Sequence, residues 1–395
     1  MVLGAGTVLA LRWPRAGRNP IFCAMTSATA SSASTPRQTP VLGVPEHCPY
    51  DVHLLDSHPD RLPLVIVARG NDDAGRLCAW LKDNQAWVAQ QLRRWGAILL
   101  RGFAVRDAAG FERIARAIDN ELKNEYLGTS PRNALTSHVF TASELPAFYP
   151  IPQHCEMSFT KNPPRRLFFC CLVEPAEGSG ETPLCDFRQV LEDLDPALVE
   201  RFEKRGIRIV RNYAGTGSAS RFNPFQLKRW DEMFLTTDRK AVETRCREEG
   251  FEPLWTGGGG FRLVSTQEPT RVHPETGMRL WHNHVTTFHP SQAAGEYRRI
   301  YALRPTRKHW LVLQVARLLE TIERRRPSEE LAMHCTHADG SPMADADIEA
   351  VREAVWKHLV VTPWKAGDVV AIDNFAVSHG RLPYAGPRMV AVAWA

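Results

Sequence analysis

Residues 152–159, with the sequence PQHCEMSF, are the most informative part of this 395-residue chain. In a β-strand the side chains of residues i and i+2 point to the same face of the sheet. His154 and Glu156 can therefore present an imidazole and a carboxylate to one metal ion, while Cys155 points to the opposite face and packs in the core. Two ligands leave a metal site incomplete, and short H-x-[DE] matches occur by chance in a chain with 14 histidines. The pattern therefore requires a third ligand elsewhere.

The best candidate for that ligand is His379, near the carboxyl end of the chain. It lies in residues 371–381, with the sequence AIDNFAVSHGR, where a buried run leads into the turn-like pair Asp373 and Asn374. Two histidines and one carboxylate on one face of Fe(II) leave three coordination positions open for a cosubstrate and oxygen. The combination of the two motifs predicts an Fe(II) site.

Three further residues have side chains suited to binding a 2-oxo acid. Thr182 follows a glycine-rich turn, and its hydroxyl could bind a carboxylate next to the metal; alternatively it is an ordinary turn threonine. Arg388 lies nine residues after His379. Its guanidinium could pair in bidentate fashion with the distal carboxylate of the 2-oxo acid, unless it is a solvated arginine at a strand edge. Arg381 is the second candidate for this role and alternatively serves the structure or the substrate.

The fold class is predicted from the pattern of apolar runs and turn residues along the chain. From residue 150 onward, short β-like runs are separated by Gly, Pro and Asp, which is typical of an all-β sandwich or jelly roll. Apolar residues at helical spacing predict four flanking helices, over residues 74–95, 107–122, 187–205 and 308–325. The tract 326–350 is predicted as a surface insertion. We therefore expect one mainly β domain with flanking helices over residues 46–395.

Basic residues are concentrated at the start of the chain. The whole sequence has 49 Lys and Arg against 44 Asp and Glu, yet residues 1–45 contain four arginines and no acidic residue. Residues 46–395 keep 45 basic and 44 acidic side chains, so the formal charge falls from +5 to +1. An acid-free leader with Arg and many Ser is typical of a transit peptide for the mitochondrion or chloroplast. The alternatives are a disordered tail on a cytoplasmic protein and a translation start at Met25.

The composition narrows the classes of function. With 44% hydrophobic and 9% aromatic residues, the chain is too apolar to be a disordered protein. No apolar run approaches about 18 residues, and the body is nearly neutral, so we expect neither a membrane nor a nucleic acid as partner. The nine cysteines form no CxxC pair, unlike those of a disulfide framework or a zinc knuckle. A small-molecule substrate is the expected partner, and the sequence does not indicate the oligomeric state.

Taken together, the motifs resemble those of the Fe(II)/2-oxoglutarate dioxygenases of the TauD/TfdA group. Within that group, the chain is most similar to the clavaminate synthase-like branch. The motifs that carry the resemblance are residues 130–132 (SPR), 154–159 (HCEMSF), 166–171 (RLFFCC), 180–186 (GETPLCD), 208–213 (RIVRNY), 273–277 (HPETG), 281–289 (WHNHVTTFH), 373–374 (DN), 379–381 (HGR) and 388 (R). Each motif alone is weak, whereas the ordered set is specific.

The resemblance implies a fold and a set of cofactors. The fold would be a double-stranded β-helix, a jelly roll of the clavaminate synthase-like kind. Fe(II) would be bound by His154, Glu156 and His379. The cosubstrate 2-oxoglutarate would be bound by Thr182 and Arg388, with O2 as the second cosubstrate.

The resemblance also implies a reaction. Arg132, Asn283 and His284 would contact a small amino-acid-like or related polar substrate. An unactivated carbon of that substrate would be hydroxylated or otherwise oxidised, with release of succinate and CO2. Glu156 favours hydroxylation, because related halogenases lack this carboxylate. Two alternatives remain open: a metal-dependent hydrolase that uses the same triad, and a non-catalytic β-helix protein that binds a small molecule.

Overall fold

The computed structural model describes residues 42–55, 62–127, 132–217 and 227–395. The predicted leader, residues 1–45, lies outside these ranges except for its last four residues. In the described ranges the chain forms one compact unit, Leu42–Ala395.

The strands are mostly short, as the sequence predicts for a jelly roll. Their bounds are β1 Asp51–Leu54, β2 Leu64–Asp72, β3 Ala97–Phe103, β4 Phe140–Thr141, β5 Ile151–His154, β6 Arg166–Val173, β7 Leu184–Asp186, β8 Ile207–Ala214, β9 Leu227–Arg229, β10 Glu252–Trp255, β11 Phe261–Gln267, β12 Thr270–Val272, β13 Arg279–Trp281, β14 Met333–Thr336, β15 Leu359–Val360, β16 Val369–Asp373, β17 Val377–Arg381 and β18 Met389–Trp394.

The helices are inserted between these strands. Their bounds are α1 Ala74–Asp83, α2 Gln85–Trp95, α3 Ala108–Ile118, α4 Phe187–Asp193, α5 Pro196–Arg205, α6 Trp230–Phe234, α7 Arg239–Glu248, α8 Val285–Phe288, α9 Gln292–Leu303, α10 Arg307–Glu323 and α11 Asp345–Lys357, with 3-10 turns at Gly257–Gly259 and Ser328–Glu330. None of the described helices is both long and apolar enough to cross a membrane.

Two sheets share the strands that matter for the site. The larger sheet has the order β1-β2-β3-β16-β6-β18-β4, and the smaller has the order β15-β7-β17-β5. Along the chain, β5, β6 and β7 fall in the small, large and small sheets, and β16, β17 and β18 in the large, small and large sheets. Such alternation between two facing sheets is the architecture of a double-stranded β-helix, which confirms the predicted fold. The five-stranded sheet built around β8 and β11 and the β12–β13 pair complete the strand set.

Both faces of the large sheet are buried, which explains why β6 reads as a continuous apolar run. Leu167, Phe169 and Cys171 belong to the core between the two sheets. The alternating residues Phe168 and Cys170 belong to a second core, which packs the outer face of the sheet against α1, α2 and α3. The period of two along the strand therefore serves two separate hydrophobic clusters.

Two predicted helices are each divided in the structure. The stretch 74–95 forms α1 and α2, because Asn84 ends the first helix and donates its side-chain Nδ2 to a carbonyl of that helix. The stretch 187–205 forms α4 and α5, with a new N-cap before α5. The helix predicted over residues 107–122 is observed as α3, Ala108–Ile118. As predicted, Asp107 is its N-cap, because the Asp107 carboxylate accepts a 2.7 Å hydrogen bond from the Gly110 amide.

The tract 326–350 contains regular structure. Within it, β14 pairs with β8 in the five-stranded sheet, and α11 begins at Asp345. His334 and Cys335 of β14 are buried. Part of the tract therefore contributes to the interior of the domain.

Candidate active site

The structure brings the three predicted metal ligands together on the small sheet. His154 ends β5 and is directly paired with His379 on the neighbouring antiparallel strand β17. Glu156 follows two residues after the first histidine, in the turn that leaves β5. The ligand atoms of the three side chains all lie within 4.8 Å of one another. His379 Nε2 and Glu156 Oε2 are 3.7 Å apart.

The donor set fits a divalent iron ion. Burial lowers the pKa of His154 below its ordinary value and lowers the pKa of His379 well below it, so both imidazoles are neutral and can donate a lone pair. The Nδ1 of His154 donates to the Pro152 carbonyl at 2.8 Å, which leaves Nε2 for a metal. Two neutral imidazoles and a carboxylate on one face are the ligand set of non-haem Fe(II) oxygenases.

Asn374 fixes the position of the carboxylate ligand. Its Oδ1 accepts a 2.7 Å hydrogen bond from the Glu156 amide, and its Nδ2 donates to the Glu156 carbonyl at 3.0 Å. The same Nδ2 donates to the Pro164 carbonyl at 2.9 Å. The Asn374 side chain is fully buried. From the sequence this residue was known only as part of a turn and of the DN motif, because its partner lies more than 200 positions earlier in the chain.

Arg132 lies against the same carboxylate. Its Nη2 donates to Glu156 Oε2 at 2.7 Å, in a buried ion pair. The guanidinium carbon lies 4.2 Å from the ring centre of Tyr126 and 5.5 Å from that of Trp394. Arg132 Nε and Nη1 are buried and have no hydrogen-bond partner among the described residues. The structure thus puts Arg132 beside the candidate metal ligand with unused donors.

Thr182 and Arg388 also meet in the structure. Arg388 Nη2 donates to the Thr182 hydroxyl at 3.3 Å, and Arg388 Nε donates to the Gly180 carbonyl at 2.7 Å. Burial, together with the charge of Arg381, lowers the pKa of Arg388 to about 10, so it remains a cation at neutral pH. Gly180 has a φ of +65°, and a Cβ there would lie 3.0 Å from Arg388 Cδ. The glycine therefore makes room for the arginine.

Arg381 is bound differently. Its Nη1 donates to the Leu145 carbonyl at 3.1 Å, and its Nη2 donates to the Pro146 and Tyr149 carbonyls at 2.8 and 2.7 Å. Three backbone acceptors occupy this guanidinium. This favours the structural alternative over a role as an anchor for a 2-oxo acid.

The two remaining predicted residues, Asn283 and His284, are neighbours with different surroundings. His284 lines the cavity beside the triad, its ring centre 4.9 Å from that of His154, and its Nδ1 is hydrogen-bonded to Ser158 Oγ at 2.6 Å. Asn283 donates to the Pro269 carbonyl at 2.8 Å and accepts from the amide two residues ahead at 3.0 Å. Both ends of the Asn283 amide thus serve the backbone, which favours a structural role for it.

The cavity beside the triad has residues that the sequence analysis did not identify. Tyr149 donates its hydroxyl to Gln292 Oε1 at 2.6 Å, and burial raises the pKa of Tyr149 to about 12, so the phenol stays protonated. Phe159 completes an aromatic wall, with its ring centre 5.2 Å from that of His284. Tyr149 and Gln292 come from distant parts of the chain and belong to no short motif, and Phe159 was noted only as part of the motif 154–159, so the folded structure is needed to place all three in the cavity.

Comparison with known proteins gives a consistent family assignment. The family described as "Taurine catabolism dioxygenase TauD, TfdA family" matches residues 59–394. Dapdiamide synthesis protein DdaC from Enterobacter agglomerans is 29% identical over 306 residues, which cover 78% of this chain and 84% of DdaC. Clavaminate synthase-like protein At3g21360 from Arabidopsis thaliana is 29% identical over 313 residues, with 78% and 84% of the two chains covered.

Solved structures that align with this chain are more distant in sequence. The PvcB protein from Pseudomonas aeruginosa aligns with a TM-score of 0.47 at 14% identity, covering 88% of this chain and 91% of PvcB. PvcB is described as an Fe, alpha-ketoglutarate dependent oxygenase. A taurine dioxygenase from Burkholderia xenovorans aligns with a TM-score of 0.46 at 15% identity, covering 88% and 89% of the two chains. The family match over most of the chain confirms the resemblance found in the motifs.

Proposed function

Because the chain belongs to the TauD/TfdA family and is an Fe(II)- and 2-oxoglutarate-dependent dioxygenase, we propose that it oxidises a small amino-acid-like or related polar molecule. The proposed reaction consumes the substrate, 2-oxoglutarate and O2, and it releases the hydroxylated product, succinate and CO2. The observation that carries this proposal is the complete triad, with Glu156 present, next to a cavity. A carboxylate at this position supports hydroxylation over halogenation.

In this proposal the residues of the site have distinct roles in binding the metal and in positioning its ligands. His154, Glu156 and His379 hold the iron, and Asn374 keeps the carboxylate ligand in place. Bound Fe(II) and 2-oxoglutarate supply the oxidising chemistry. The protein's contribution is to fix the geometry of these groups and to keep water out of a buried site.

Thr182 and Arg388 are proposed to bind the distal carboxylate of 2-oxoglutarate. The arginine is half-buried and cationic, and it donates hydrogen bonds to a hydroxyl and a carbonyl. No carboxylate in the described part of the chain is hydrogen-bonded to it. A ligand carboxylate would supply the missing negative charge through a pair of hydrogen bonds.

Arg132 and His284 are proposed as the substrate contacts. Arg132 has two buried nitrogens that a polar substrate could engage. Burial lowers the pKa of His284 well below its ordinary value, so its imidazole meets the substrate in the neutral form. The relative DdaC, a dapdiamide synthesis protein, supports a small-molecule substrate.

The proposal is tested by substrate-dependent turnover. The purified protein is incubated with Fe(II), O2 and 2-oxoglutarate labelled at its 1-carboxylate, together with fractions of a metabolite library. Labelled CO2, which derives from the 1-carboxylate, and unlabelled succinate are then measured. We expect release that depends on a polar small molecule and that is lost in His379→Ala. His358→Ala is the matched control, because His358 is hydrogen-bonded to Asp193 and lies outside the triad.

Two outcomes would favour the alternatives. Hydrolysis of a library component with Zn(II), without succinate, would indicate a hydrolase. Binding of a small molecule without any turnover, even uncoupled, would indicate a non-catalytic binding protein.

We also propose that residues 1–45 direct the protein to the mitochondrion or the chloroplast. The absence of acidic residues and the four arginines in this segment support the proposal. A fluorescent protein fused to residues 1–45 should enter one of these organelles. Uniform cytoplasmic fluorescence would contradict it.

A further inference from the structure

The outer face of α10 carries an exposed apolar stripe. Leu311, Val315, Leu318 and Ile322 are 58, 48, 62 and 40% exposed. They are separated by steps of four, three and four residues, so they form a single narrow line along the helix. The opposite face, with Leu313, is buried against α9. Contacts on the opposite face therefore already hold the helix in the domain, and the exposed stripe is not needed for that packing.

The stripe has the residue pattern of a coiled-coil seam. With Leu311 and Leu318 in d positions, Val315 and Ile322 fall in a positions. β-Branched residues at a combined with Leu at d are the arrangement that favours a two-stranded coiled coil. We propose that the outer face of α10 is a docking surface for an amphipathic helix of another protein, with acidic side chains near both ends of its seam.

The charges at the two ends of the stripe specify the partner. Lys308 occupies the a position before the stripe, and Arg325 lies in the turn just beyond the last helical residue, Glu323; both are exposed. Glu320 is hydrogen-bonded to Arg324, and Glu323 is half-buried, so neither offsets these two charges along the seam. Acidic residues on the partner would complement both ends.

A second copy of this chain fits less well. In an antiparallel pair, Lys308 of one copy would lie at the same end of the seam as Arg325 of the other, and in a parallel pair each cation would lie at the same end as its own counterpart. Both arrangements bring like charges together at the seam ends. The chain's own leader is also unsuitable, because residues 1–45 contain no acidic residue. Charge therefore favours a different, acidic helix over either of these occupants.

The test uses the full-length protein and two synthetic helical peptides. Both peptides carry Leu and Ile along their seam; one has Glu at both seam ends, and the other has Lys there. Binding is followed by fluorescence anisotropy of the labelled peptide. We expect saturable binding of the Glu peptide, at least tenfold weaker binding of the Lys peptide, and weakening of the first with added salt.

Variants of the protein assign the binding to the stripe. The double substitution Leu311→Ser and Leu318→Ser should weaken the Glu peptide at least tenfold. Val272→Ser, which changes a 61% exposed apolar residue elsewhere, should leave it unchanged. Lys308→Glu combined with Arg325→Glu should reverse the preference between the two peptides. All these positions are exposed, and circular dichroism checks that each variant is folded.

Four results would overturn the proposal. The first is that neither peptide binds, and the second is that both bind equally. The third is that sedimentation velocity shows a dimer of the wild type which the double leucine variant dissociates, because a second copy would then be the occupant. The fourth is that the protein binds phosphatidylserine vesicles through the stripe and ignores the peptides, which would identify a lipid surface.

Discussion

Removing the Asn374 side chain should weaken iron binding through the ligand that it holds. In Asn374→Ala, the Glu156 amide and two carbonyls lose their partners at a fully buried position. An unpaired buried polar group costs about 1–3 kcal/mol, so the three together should lower the free energy of unfolding by roughly 3–9 kcal/mol. Partners that orient a metal ligand typically contribute about 10- to 100-fold to metal affinity, and we expect a loss in that range.

The assay separates ligand positioning from general stability. Metal-free protein is titrated with Fe(II) without oxygen, in competition with a chromogenic chelator, and its urea unfolding is measured in parallel. Asn212→Ala is the matched control, because the Asn212 side chain also bridges to backbone, donating to the Leu331 carbonyl at 2.6 Å, but lies in the five-stranded sheet. It should lose stability and keep its iron affinity. If Asn374→Ala bound iron within twofold of the wild type while losing stability, the positioning role would be refuted.

The remaining predictions concern the cosubstrate, the cavity wall and acid stability. Arg388→Gln should raise the Kd of 2-oxoglutarate by about tenfold or more and leave the iron Kd unchanged in separate anaerobic titrations; equal losses for both ligands would contradict this. Arg381→Gln should lower the free energy of unfolding by about 2–4 kcal/mol in urea, because three carbonyls in residues 145–149 lose a donor; unchanged stability would argue against it. Burial lowers the pKa of His289 to about 4, so the unfolded chain binds a proton there that the folded chain does not between about pH 6.5 and 4. The free energy of unfolding should therefore be unaffected by this histidine above about pH 6.5 and should fall by about 3 kcal/mol as the pH drops to 4. In His289→Gln this contribution to the pH dependence of stability should disappear. Identical profiles of stability against pH for the variant and the wild type would contradict the prediction.

The three candidate iron ligands could be selected from the sequence because local rules are enough to point to them, and the structure brings them together. The spacing of His154 and Glu156 needs only the two-residue period of a strand. His379 follows a buried run and a turn, and this pattern is also visible without a structure. Thr182 and Arg388 were each predicted, from their chemistry and from the family resemblance, to bind the cosubstrate, and the structure puts the two side chains in hydrogen-bond contact.

Other parts of the site depend on contacts between distant segments. The Tyr149–Gln292 hydrogen bond joins a loop to the start of α9, and no periodicity marks either residue. Asn283 and His284 are adjacent in sequence, yet only His284 lines the cavity, because the Asn283 amide is engaged by backbone. The direction of a side chain in an irregular segment is set by tertiary packing. The division of the predicted helix at Asn84 has the same origin, since helical periodicity continues across the break.

The pairing of His154 with His379 has a consequence for the life of the protein in the cell. The two histidines lie on neighbouring strands, β5 and β17, yet are separated by more than 200 residues along the chain. A nascent chain that has not yet released β17 offers iron one histidine and one carboxylate, too few to retain it. Metal loading must therefore wait until β17 has been made and has paired with β5, and a chain truncated before β17 lacks the complete triad.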